Sequence, residues 1–225
     1  MSHWITMVTK YGPMNGWVAT PDDRPIGGVV LIHEVFGVNH DMRAIAERYA
    51  DAGYHTVVPA LFDKIQREVE FDDYLPNELE RGQELASQLG NSSAIELVET
   101  AVEAIAHAGN IALVGYGWGG VVAKQAARAL RLPCVVYYAA QDNEQKERRV
   151  ETPVLNHVGQ MDKQYAPRQT ADLSAGVETT FLYPIGHAFD RQGDALHYHP
   201  ESSYLALQRT LSFLDKHTRT SPDLS

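Results

Sequence analysis

The chain is predicted to fold as an α/β protein: a doubly wound, mostly parallel sheet with helices on both faces. Two patterns predict this. Short apolar runs alternate with stretches whose apolar residues recur at helical spacing, and the residues able to do chemistry fall just after the apolar runs. Strands that alternate with helices are joined by crossovers, which leaves neighbouring strands parallel. At 225 residues the chain lies within the range of one α/β domain, so residues 1–225 are read as a single unit.

Trp4–Thr9 and Trp17–Thr20 read as two short strands around a turn rich in Gly, Pro and Asn at 11–16, a hairpin at a sheet edge. Gly28–Ile32 is a continuous apolar run, as a strand buried on both faces requires. Met42, Ile45, Ala46 and Tyr49 follow at helical spacing, closed by Gly53. Tyr54–Val58 repeats the strand signal. After an irregular segment, Ser93-x-x-Glu96 has the form of a capping box, opening a helix with Ile95, Val98, Val102 and Ile105 on one face. Strand Ile111–Val114, a glycine turn and a helix bearing Val122, Ala123, Ala126, Ala127 and Leu130 come next. Cys134–Tyr138, Pro153–Val158 and Thr179–Leu182 read as further strands, and Leu207, Leu211 and Leu214 mark a last helix.

Composition narrows the function classes. Hydrophobic residues at 44% and charged residues at 21% are ordinary globular values, and a net charge of −10 repels a phosphate backbone or an anionic membrane, so no nucleic-acid partner is expected. The single cysteine, Cys134, leaves no intramolecular disulfide and no cysteine-based zinc site, and points to the cytoplasm. Met1-Ser2-His3-Trp4 lacks the basic and apolar regions of an export signal. No apolar run approaches the ~20 residues of a membrane helix, so no membrane association is expected.

In such sheets ligands bind beyond the carboxyl ends of the strands. The residues there are His33-Glu34, the turn Gly115-Tyr116-Gly117-Trp118-Gly119-Gly120, Gln160-Met161-Asp162 and Gly186-His187. Taken alone, Gly115-x-Gly117-x-x-Gly120 between a strand and a helix satisfies a dinucleotide fingerprint, with Asp142 placed for a ribose contact. The same hexamer fits a nucleophile elbow, in which flanking glycines let a sharp turn lift the middle residue above the sheet. One hexamer does not decide between them.

Three other segments do. Ile32-His33-Glu34-Val35-Phe36-Gly37-Val38-Asn39, continuing through Arg43 and Ala50–Tyr54 to Pro59-Ala60-Leu61-Phe62, resembles the dienelactone hydrolase family of α/β-hydrolases. So do Tyr116-Gly117-Trp118-Gly119-Gly120, apart from its centre, and Gly186-His187-Ala188-Phe189. The resemblance covers almost the whole chain. It implies the α/β-hydrolase fold and hydrolysis of small lactones or esters by a Cys-His-Asp triad, with Gly117 standing where the cysteine would be. Asp162 and His187 match the acid and base, in the chain order that α/β-hydrolases share. The amides of Val35 and Trp118 match the oxyanion hole. Glu34 matches a glutamate that contacts the resting thiol and here has lost that partner. Arg191 matches an arginine that binds a substrate carboxylate.

Glycine has no functional side chain, so a covalent acyl-enzyme route is closed at residue 117. Several readings follow. Water activated by His187 or Glu34 could attack instead, slowly, because loss of a triad nucleophile leaves only ~10³–10⁴-fold catalysis over water. Gly117 could be a deliberate deletion of the nucleophile. A lyase or isomerase could use His187 and the oxyanion hole alone, and a silent binding protein could use the pocket without chemistry.

Other candidates receive plainer readings. Cys134, inside an apolar strand, is inert packing. Ser92, Ser93, Ser202 and Ser203 read as helix caps. His197-x-His199 has the alternation of a metal arm but no third ligand, so neither a metal nor a cofactor is expected. Residues 141–149 form a mixed-charge solvated turn. Phe62–Pro76, with Phe71, Tyr74 and Leu75, is expected to rim the pocket, and Arg81 in the following helix to face substrate. A monomer or small homo-oligomer is expected.

Overall fold

A computed structural model of the chain describes residues 1–72, 75–139, 152–163, 173–175 and 177–219. Tyr74, the turn at 141–149 and Asp142 within it lie outside the described residues.

The elements in chain order are β1 (Ser2–Thr9), β2 (Gly12–Ala19), β3 (Gly27–Ile32), α1 (His40–Asp51), β4 (Tyr54–Pro59), α2 (Pro76–Leu89), α3 (Asn91–Ala104), β5 (Ile111–Tyr116), α4 (Trp118–Leu130), β6 (Cys134–Tyr137), β7 (Val154–Gly159), β8 (Leu173–Ala175), β9 (Glu178–Tyr183) and α5 (Pro200–Thr218). Among the described residues the strands form one sheet in the order β1-β2-β4-β3-β5-β6-β7-β9-β8. From β4 to β9 every pairing is parallel, while β1, β2 and β8 add antiparallel edges. This is the doubly wound, mostly parallel sheet that the alternation of patterns predicts, and it fits the α/β-hydrolase fold that the family resemblance implies.

Alternate side chains of each central strand feed two cores. Val30, Ile32, Val57, Leu113 and Val136 point to the side covered by α3 and α4, and Val29, Leu31, Val58, Val114 and Val135 to the side covered by α1 and α5. Strands apolar on both faces suit a sheet covered by two such layers. The free thiol of Cys134 is buried among them, and burial pushes its pKa up to about 12, which keeps it protonated and unreactive.

Four local readings need correction. The stretch Gly12–Gly16 is strand rather than turn: the chain reverses at Lys10-Tyr11 and Val8 already pairs with Pro13. The hairpin is an edge, where a proline is tolerated. Ser93 does not cap α3. That helix starts at Asn91 behind Gly90, and the Ser93 hydroxyl instead accepts from Lys64 Nζ at 2.7 Å, while Glu96 pairs with Lys10 at 2.6 Å. Nor do Ser202 and Ser203 cap α5. The His199 ring does so, accepting from the Ser202 amide at 3.3 Å, and Ser203 hydrogen-bonds Asp190. Finally, the fully buried face of α5 is Ser202, Ser203, Ala206, Thr210, Leu214 and Thr218, with Leu207 and Leu211 only partly covered.

The polar face of α5 has partners in the core. Thr210 Oγ1 meets Tyr137 Oη at 2.7 Å and His157 Nε2 at 2.9 Å, and His157 Nδ1 meets Tyr183 Oη at 2.8 Å. Arg48 on α1 reaches Asp190 at 2.8 Å, and Asp190 also receives Ser203. These contacts tie α1 and α5 to the segment that carries His187.

Candidate active site

At the carboxyl end of β5 the chain turns into α4 through Gly117, whose φ of 52° and ψ of −120° lie where L side chains are strained. The turn is locked by its neighbours. A Cβ built on Gly119 would stand 2.4 Å from the carbonyl oxygen of Ile32 and 2.3 Å from that of His33, so only glycine lets α4 approach β3 so closely.

The β3 side of the site is held by His33. Its Nδ1–H donates to the Glu34 carbonyl at 2.6 Å and its Nε2 accepts from the Leu61 amide at 3.2 Å, so the neutral ring is fixed in one tautomer. Burial lowers its pKa to about 4, and that of His157 to about 3. Both are fully neutral in the fold at pH 7. In the unfolded chain each titrates near 6.5, so between 6.5 and the folded values the unfolded state binds more protons and stability falls with acid. The urea midpoint is therefore expected to drop from pH 7 to pH 5, each histidine contributing at most about 2 kcal/mol. A midpoint that stays level or rises would remove both rings from the linkage.

Beyond His33, the Val35 and Trp118 amides have no acceptor among the described residues. The Trp118 indole stacks on Phe62 with centroids 5.4 Å apart.

Asp162 and His187 are brought together by main chain. The Gln160 amide donates to the Tyr183 carbonyl at 2.8 Å and the Met161 amide to the Ile185 carbonyl at 2.9 Å, lacing the end of β7 to the loop after β9. His187 Nδ1–H then donates to Asp162 Oδ2 at 2.7 Å. Asp162 is buried and His187 about a quarter exposed, with 26% of its side chain accessible. A carboxylate on Nδ1 fixes the tautomer in which Nε2 carries the lone pair.

Glu34 is ion-paired: Arg191 Nη2 donates to both carboxylate oxygens at 2.9 Å and Nε donates to Oε2 at 3.1 Å. Two buried opposite charges pair because either one alone would be desolvated without compensation. Glu34 also leans into the elbow, since a Cβ on Gly117 would stand 2.7 Å from its Oε1. Arg191, expected to receive a substrate carboxylate, thus already holds a carboxylate of the protein and reaches a second one, Asp194, at 3.5 Å.

Arg81 is not gathered into this group. It is half-buried on α2, bound to Glu84 at 2.9 Å and Gln66 at 3.0 Å, although the next residue, Gly82, packs directly on the Val35 carbonyl. His197 and His199 are likewise committed, the first to Asp194 at 2.5 Å and the second to capping α5.

Sequence reasoning passed over Tyr138. This buried residue follows β6 with φ of +38°, an uncommon conformation for an aromatic residue, and its ring meets that of His187 edge-on at 5.0 Å. It lines one crevice with Glu34 and Arg191. Its place just after a strand was the available signal, hidden because the apolar run Cys134–Tyr138 reads as uninterrupted strand.

The family model of the Dienelactone hydrolase family matches residues 14–218. The chain belongs to that family. Carboxymethylenebutenolidase 1 of Cupriavidus pinatubonensis is 27% identical over 208 residues, 87% of each chain. Carboxymethylenebutenolidase of Pseudomonas putida is 28% identical, covering 88% of this chain and 89% of its own. Among solved structures, a candidate dienelactone hydrolase from Klebsiella pneumoniae superposes with a TM-score of 0.81 at 21% identity, over 96% of this chain and 99% of that one. A dienelactone hydrolase-like promiscuous phosphotriesterase from metagenomic libraries gives 0.74 at 15% identity, over 96% and 99%. These structures speak for the shared fold. Among the described residues no helix is long and apolar enough to cross a membrane.

Proposed function

We propose that this member of the dienelactone hydrolase family hydrolyses small lactones or esters without a covalent intermediate, with water in place of the missing nucleophile. The observation that carries the reading is the His187–Asp162 hydrogen bond of 2.7 Å beside an elbow whose centre bears no side chain. The substrate carbonyl oxygen accepts from the Val35 and Trp118 amides. A water attacks the carbonyl carbon while His187 Nε2 takes one of its protons, and the negative charge develops on the oxygen held by the amides. Collapse breaks the carbon–oxygen bond of the ester, and the same proton passes from His187 to the leaving alkoxide. Asp162 keeps the ring oriented and stabilises it while it is charged.

Supporting this over attack by a protein group, Arg191 occupies both oxygens of Glu34 and the thiol of Cys134 is sealed in the core. The expected rate is low, with roughly 10³–10⁴-fold acceleration over water. The test is a p-nitrophenyl ester with enzyme in excess, followed by intact-mass measurement. A slow single-exponential release of product with an unchanged protein mass is expected, and a stable acyl adduct on any residue sinks the noncovalent route. Failure to convert the ester at all would favour a silent binding protein, a reading that the intrusion of Glu34 into the elbow also supports.

A further inference from the structure

We propose that the outer edge of β1 is a docking surface for a second copy of this chain, whose own β1 pairs with it antiparallel about a two-fold axis. The pairing joins two nine-stranded sheets into one. It is independent of the catalytic reading above.

Main-chain groups define the surface. Met1 and Thr20 exchange two hydrogen bonds, at 2.9 and 3.0 Å, and β1 runs on against β2 in that register to Thr9 and Gly12. In an antiparallel ladder only every second residue bonds across the pair. His3, Ile5 and Met7 therefore bond to β2, while Ser2, Trp4, Thr6 and Val8 turn their N–H and C=O groups outward, where no described strand meets them. Such an edge is a template for another strand, and proteins blunt it with charges, prolines or bulges, or by keeping it short. None of these protects β1: Ser2–Thr9 is eight residues long, pairs without a break, and holds no Lys, Arg, Asp, Glu or Pro. The opposite edge, β8, has three residues.

The side chains of β1 name the occupant. With Ile5 on the axis the outward set maps onto itself, Ser2 opposite Val8 and Trp4 opposite Thr6, each rung made twice. Trp4 and Val8 are 43% and 87% exposed, on the face where the Trp17 ring meets Trp4 edge-on at 5.4 Å. Each Trp4 then has Trp4 and Val8 of the second copy as diagonal neighbours, a separation that aromatic side chains bridge. What one copy leaves exposed, the other covers. On the opposite face Ile5 meets Ile5, extending the core cluster it packs against. A head-to-tail contact of β1 on β8 would leave free edges and grow, whereas the two-fold contact closes. Charge limits the strength. Asp63, Glu68 and Glu70 share a crevice with Trp4, offset by Arg43 on Glu70 and by Arg67 beside Asp63, and each copy carries −10. That field opposes association without falling on any side chain of β1. A strand-to-strand contact is also small beside a standard interface, so a Kd on the order of 10 µM is expected.

Sedimentation velocity of the whole chain from about 1 to 100 µM at neutral pH is the test, with a monomer–dimer equilibrium expected. Added salt is expected to tighten the dimer, because screening relieves the like charge of the two copies. Val8→Lys places a charge on the edge, and Thr6→Pro removes an outward N–H that β2 does not use. Each is expected to weaken the dimer at least about tenfold, and either one serves if the other fails to fold. Ile5→Cys should form a disulfide-linked dimer under mild oxidation, since residues facing each other on the axis stand within disulfide reach and Cys134 is buried. A chain that stays monomeric at about 100 µM overturns the inference and leaves the edge to a strand of another protein. It is overturned equally by a dimer that salt weakens, by one unchanged in the folded edge variants, by a folded Ile5→Cys variant that dimerises without crosslinking, and by assembly beyond the dimer.

Discussion

Gly117→Cys is expected to speed hydrolysis of an activated ester by about 10²–10³-fold and to leave an acyl group on the introduced thiol. The size follows from the proposed mechanism: His187, Asp162 and the paired amides would carry the residual rate, and the nucleophile would supply the remainder of a triad's acceleration. Two features oppose the gain. A side chain at φ of 52° costs about 1–3 kcal/mol of strain, so the denaturation midpoint should fall. The new Cβ would also stand 2.7 Å from Glu34 Oε1, and that carboxylate, held on both oxygens by Arg191, must shift before the thiol is seated. Stopped-flow kinetics with intact-mass detection should show a burst matched by the adduct. A correctly folded variant no faster than the parent would show that the pocket has diverged beyond its nucleophile.

In the parent, His187→Ala is expected to lower the residual rate by about 10²–10⁴-fold, the usual contribution of a positioned general base. With no nucleophile to share the work, proton transfer from water is the step most dependent on a side chain. The effect should fall on kcat far more than on KM, because the ring's task is to move a proton rather than to hold the ester. Steady-state kinetics on folded protein, checked by circular dichroism, decides it. A rate within twofold of the parent places the base elsewhere.

Much of the frame was legible because it depends on local pattern. Gly28–Ile32 and Ile111–Val114 could only be strands buried on both faces, and Met42, Ile45, Ala46 and Tyr49 do line the buried side of α1 as their spacing predicts. Asp162 and His187 stood out because each closely follows a strand. Their pairing was expected from family resemblance, and it is main-chain lacing between 159 and 186 that achieves it.

The Glu34–Arg191 pair was not legible. The two residues are 157 positions apart, and nothing in the local sequence of either distinguishes a carboxylate awaiting a ligand from one already matched. Short-range signals failed where tertiary contacts compete with them. Ser93 has a capping pattern but is claimed by Lys64, and the Gly, Pro and Asn of 12–16 signal a turn although edge pairing with β1 draws them into strand. On α5 the buried face includes Ser202, Ser203 and Thr210, polar residues whose partners, such as Asp190 and His157, come from other elements, so counting leucines located the wrong stripe.

The close approach of Gly119 to the carbonyls of Ile32 and His33 has a consequence for descent as well as for shape. It joins the turn that carries Trp118 to the turn that carries Val35 through main chain alone, without reference to the side chain at 117. Selection can therefore exchange the reacting group while the scaffold around it persists, and glycine and cysteine codons can differ by a single base. Lineages with this architecture could lose covalent chemistry, or recover it, in one mutational step, provided that Glu34 gives way.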